Sequence, residues 1–156
     1  MAYQYVAPRQ TVDLNLPVLF NTSIPCRNGN VFHENGEGIF ILNGKAIKCN
    51  CPNASAQYLV QFVANIALPE GGTVGPIALA LAVDGNIVVS TRAISTPEAV
   101  QEFNNISIAK VVTIPKVCGC ENVSIIATSG IVTPATGTPA PTIDVADGNL
   151  LITRIS

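Results

Sequence analysis

Five cysteines and a single histidine are the residues of this chain best equipped for chemistry. Cys49-Asn50-Cys51 and Cys118-Gly119-Cys120 form two Cys-x-Cys pairs, and Cys26 is left over. Residues i and i+2 of a strand share a face, so two such pairs on adjacent antiparallel strands would converge. Three outcomes stay open for Cys49, Cys51, Cys118 and Cys120. They form disulfides, if the strands are neighbours and the compartment is oxidising. They hold zinc as four thiolates, although structural zinc sites favour two to four residues between paired cysteines. Or they remain small buried thiols that fill core space. His33 has Glu34 and Glu37 nearby in sequence, which raises a general base or a metal ligand. The plainer reading is a histidine that hydrogen-bonds its own turn, and it is favoured because no nucleophile motif accompanies the ring. Gly-x-Ser-x-Gly is absent, and Gly71-Gly72-Thr73-Val74-Gly75 lacks the Lys-Ser/Thr ending of a phosphate loop. The expectation is therefore no enzyme, no catalytic residue and no cofactor.

The elements that would carry these residues are strands. Ile77, Leu79, Leu81 and Val83 alternate with Ala78, Ala80 and Ala82, and Asp84-Gly85 follows as a tight turn. Neither face of that strand is polar. Such a strand is central to a sandwich or covered by a neighbouring chain, so the alanine row is the first candidate for a subunit interface. Tyr58 to Leu68 is the longest clean alternation, and Ile106–Ile114 and Val123–Thr128 read as further strands. Thr96–Phe103 reads as one or two helical turns or a loop, and 129–142, with Pro134, Pro139 and Pro141, as a surface connection. Ile143–Val145 and Leu150–Ile155 flank a turn at Asp147-Gly148-Asn149. Some eight to ten short antiparallel strands with Gly, Pro and Asn turns predict an all-β jelly-roll sandwich.

At 156 residues the chain is one domain by length. Charged residues make up 12%, against about 25% in an average soluble domain, which suggests surface hidden by other subunits. The net charge of −2 and the lack of a Lys/Arg cluster give no pull toward nucleic acid or anionic membrane. Apolar runs are strand-length, short of a membrane span, and residues 1–15 lack the apolar core of a signal peptide. Residues 1–16 read as an N-terminal arm ahead of a jelly roll at 17–156, with Tyr3, Tyr5 and Pro8 as anchors for a partner surface.

The stretch Asn21-Thr-Ser-Ile-Pro-Cys-Arg-Asn-Gly-Asn-Val-Phe-His-Glu-Asn-Gly-Glu-Gly-Ile-Phe, the 58–94 block and the terminal Asn149-Leu-Leu-Ile-Thr-Arg-Ile carry a resemblance. Together they resemble the trimeric jelly rolls of the tumour necrosis factor and complement globular-head type. The bacterial and phage versions are the nearest likeness, including the C-terminal domain of collagen-like spore-surface glycoproteins, although a Gly-X-Y stalk is missing here. The resemblance implies a homotrimer with the final strand near its axis, which adds Leu150 and Ile152 to Ala78, Ala80 and Ala82 as expected interface residues. It implies structural or recognition work in place of catalysis. Synthesis in the host cytosol fits a phage virion component, a capsid decoration or fibre-head protein seated on capsid protein. A spore-coat or exosporium protein on a spore layer fits nearly as well. The remaining class is a glycan- or protein-binding module, poorly equipped for sugar stacking with 5% aromatics and no Trp.

Overall fold

The computed structural model describes residues 2–21, 30–44, 55–115, 120–129 and 142–156. Two antiparallel sheets face each other. The first runs β1 (Ala2–Ala7), β11 (Ile143–Arg154), β5 (Ser55–Ala67), β9 (Asn104–Pro115), with β2 (Gln10–Val12) also on β11. The second runs β3 (Val31–His33), β4 (Phe40–Asn43), β10 (Cys120–Ser129), β6 (Ile77–Val83), β7 (Asn86–Ile87), with β8 (Ala93–Ser95) also on β6. The expected jelly-roll sandwich is the observed architecture. Between the sheets lies one apolar core in which Phe20, Phe40, Tyr58, Phe62, Ile77, Leu79 and Leu81 are fully buried. Tyr5, Phe20, Phe40 and Phe62 meet edge-on in successive pairs with centroids 4.7–5.9 Å apart, the arrangement aromatic quadrupoles favour.

The N-terminal segment is not an arm. Ala2–Ala7 pairs along its whole length with Gly148–Thr153, and its burial alternates perfectly. Tyr3 and Tyr5 point into the core, and only Pro8 of the three expected anchors is exposed. The two-residue period was already present in Tyr3, Tyr5 and Ala7. The domain boundary at residue 16 therefore falls inside the sandwich, where the Asn15 amide bonds the Ala127 carbonyl and the Val18 amide bonds that of Ile125.

Asp147-Gly148-Asn149 does not reverse the chain either. It is a bulge inside one continuous β11, with Asp147 at φ 54°, held straight by β1 on one side and β5 on the other. Gly148 is required there because a Cβ would stand 2.7 Å from that of Ala7. Thr96–Phe103 forms turns and no helix, and Val89–Thr91 is a single 3-10 turn after the short β7.

Candidate self-association surface

His33 is buried on β3, stacked on Phe40 at 4.2 Å and edge-on to Tyr5 and Phe20. Its Nε2 lies 2.9 Å from the Glu37 carbonyl, across the turn that joins β3 to β4. It packs the core and ties its own turn from a position on a strand. Among the described residues no three His, Cys, Asp or Glu side chains gather to hold a metal. Cys26, Cys49, Cys51 and Cys118 lie outside the described residues, so the expected convergence of the two Cys-x-Cys pairs does too. Cys120 opens β10 opposite Asn43, exposed, with no disulfide partner among the described residues. No described helix is long and apolar enough to cross a membrane.

One end of the sandwich is closed by a polar knot. The Asn30 amide donates to the Tyr3 hydroxyl at 3.0 Å. The Tyr58 hydroxyl donates to the Asn43 carbonyl at 2.6 Å, with the Asn30 carbonyl 3.2 Å away. Arg154, buried, reaches Asn30 Oδ1 with Nη1 at 2.8 Å and the Ser156 carbonyl with Nε at 2.9 Å. Its guanidinium also sits 5.7 Å from the Tyr58 ring centroid. Burial pushes the Tyr58 phenol above its ordinary value of 10.0, outweighing the opposing pull of the Arg154 charge. The folded chain therefore holds this proton more tightly than the unfolded chain. The resulting stabilisation is complete below pH 10.0 and lost as pH rises through the raised folded value. A denaturation midpoint followed through the alkaline range should fall there, and Tyr58→Phe should flatten that fall. An unchanged slope in the variant would refute the assignment to Tyr58.

The feature with the extent of a binding surface is the outer face of the first sheet. Register places three cross-strand rows on it: Val6, Asn149, Val63, Ser107; Gln4, Leu151, Gln61, Ala109; and Ala2, Thr153, Leu59, Val111. None of these side chains is charged. Val6 is 50% exposed, and Val63 and Val111 are each 43% exposed. A polar ladder closes one end of the face. There Asn65 donates to Asp147 at 3.0 Å, Asn105 donates to Asn65 at 3.1 Å, and Asp147 is the charge.

None of the interface residues expected from sequence lies on this face. Ala78, Ala80 and Ala82 have no accessible surface in the single chain, and Leu150 and Ile152 are equally covered. Surface already buried within one chain cannot be offered to another. The expectation of β11 found a strand of this face but took its inward side; Asn149, Leu151 and Thr153 point out. Val6, Leu59, Val63 and Val111 were missed because a half-polar strand gives no sign of which neighbour its outer side meets.

The two antiparallel sheets and their single core make a jelly-roll β-sandwich. The chain is similar to the Eiger TNF of S. frugiperda at 9% identity, with TM-score 0.64, covering 100% of this chain and 92% of that one. It is similar to the globular domain of zebrafish complement 1qA protein at 16% identity, with TM-score 0.57 and coverage of 99% and 96%. Murine APRIL matches at 8% identity, with TM-score 0.51 and coverage of 94% and 99%. No family model matches the sequence, and no curated protein matches it. At such identities the likeness establishes the fold.

Proposed function

We propose that this chain is a non-enzymatic structural subunit that assembles as a homotrimer through the outer face of the β1–β11–β5–β9 sheet. The observation that carries the reading is the uncharged three-row face with its exposed Val6, Val63 and Val111. Depletion of charge marks the buried centre of protein interfaces, and a face without charge meets no electrostatic repulsion from its own copies. Closure about a three-fold axis needs two different surfaces on each subunit. The β1–β11 half of the face on one copy and the β5–β9 half on the next supply them. The likeness in fold to tumour necrosis factor and complement heads supports this arrangement.

The role we infer for the trimer is that of a phage virion component, a capsid decoration or fibre-head protein, made in the host cytoplasm and carried on the particle. Its support is the resemblance of the 21–40, 58–94 and 149–155 stretches to phage and bacterial jelly rolls, together with a 12% charged composition suited to assembly. The second reading, a spore-surface protein, rests on the same stretches and their likeness to spore glycoprotein C-terminal domains. Particle attachment belongs to a surface other than Tyr3 and Tyr5, which are core residues. Glycan recognition has little support, since among the described residues Phe32 is the one exposed aromatic ring. Light scattering on the purified chain should return about three times its mass of 16.2 kDa. A stable monomer at micromolar concentration would overturn the assembly reading.

A further inference from the structure

The outer edge of β9 bears on assembly as well. Among the described residues β9 has β5 as its one ladder partner, so the other side of this 12-residue strand carries no described ladder bonds, although β8 and the Val89–Thr91 turn pack near it. Between Asn104 and Pro115 the chain reads Asn-Asn-Ile-Ser-Ile-Ala-Lys-Val-Val-Thr-Ile-Pro, with Lys110 its single charge. Without that charge this would be a long, β-branched, neutral edge strand, the template that invites pairing with another chain. Lys110 also breaks the burial pattern of the strand. Register sets it opposite Val60, which is buried, and its same-side neighbours Ile108 and Val112 are buried too. Lys110 thus belongs to the core-facing side of β9, yet it is exposed. A lysine in that position reaches past the sheet edge to keep its ammonium in water. An edge-to-edge partner would have to cover the ammonium.

We propose that Lys110 is a gatekeeper charge that prevents the β9 edge of one copy from pairing with an edge of another, so that assembly closes instead of growing. Pro115, which has no N–H to donate, ends the strand and limits the same edge from its far end. The inference rests on the proposed assembly, to whose face β9 also contributes. The wild-type mass tests the face, and the change on substitution tests the edge.

The test compares Lys110→Val, Lys110→Thr and Lys110→Glu with wild type by light scattering across a concentration series, thioflavin-T fluorescence and thermal melting. Lys110→Val should grow with concentration to about twofold or more of the wild-type mass, as open head-to-tail pairing requires, and bind the dye without a lower melting temperature. Lys110→Glu should keep the wild-type mass, because charge of either sign blocks the edge. Lys110→Thr, uncharged, should behave as Lys110→Val does and serves if the valine variant does not fold. An unchanged mass for the uncharged variants would overturn the proposal. So would association only alongside a lowered melting temperature, or equal association by Lys110→Glu.

Discussion

Val63→Glu should turn the assembly into folded monomers. Val63 lies in the row Val6, Asn149, Val63, Ser107, on a central strand of the uncharged face. In the single chain its side chain is 43% exposed, so a carboxylate there stays in water. Exposed substitutions of this kind change stability by about 0.5 kcal/mol or less. In a trimer closed through this face the same carboxylate is buried and repeated in each copy. Leaving a buried charge unpaired costs about 3–5 kcal/mol, which is enough to dissociate a complex of ordinary affinity. Light scattering should then give 16.2 kDa with an unchanged circular dichroism spectrum. Val89→Glu, 64% exposed on the 3-10 turn after β7 and outside these three rows, should leave the assembly intact. A Val63→Glu protein that keeps its wild-type mass would exclude the face as the interface.

Ala80→Glu should have the opposite signature: loss of the fold itself at every protein concentration. Ala80 pairs with Ile126 at the middle of β6, and all its surface is covered within one chain. A larger side chain forced into that space costs about 1–3 kcal/mol in displaced neighbours. Desolvating its carboxylate without a partner adds several kcal/mol more. A domain of this kind has about 5–15 kcal/mol of stability in total, so most or all of it would go. Urea titration followed by circular dichroism measures the loss directly. A stable, natively folded monomer from Ala80→Glu would instead restore the alanine row as a subunit contact.

The two variants separate what the two apolar strand faces do. In the sequence, Ala78, Ala80 and Ala82 looked like a surface awaiting a partner, because no polar residue interrupts them. Within the fold they are already covered, while the half-polar faces of β1, β5, β9 and β11 are the ones left open. Tyr58–Leu68 and Ile77–Val83 were legible as strands because their alternation is long and unbroken. β1 was obscured by the small Ala2 and Ala7 at its ends and the Pro8 that follows, though Tyr3 and Tyr5 carried its period. Asp147-Gly148-Asn149 has the residues of a turn, yet pairing to β1 and β5 on both sides makes it a bulge.

Taken alone, the sequence determined an all-β sandwich, the core side of its longest strands and the lack of any nucleophile or phosphate motif. Those properties are written locally, in residue type and a two-residue period. Tertiary structure alone decided that Tyr3 and Tyr5 fill the core and that His33 packs on Phe40. It also decided that Lys110 stands on the side of β9 without a ladder partner among the described residues, and that the uncharged outer face is that of β1–β11–β5–β9. The period of a strand separates its two sides. What covers each side depends on strands distant in sequence, such as Ala2–Ala7 on Gly148–Thr153.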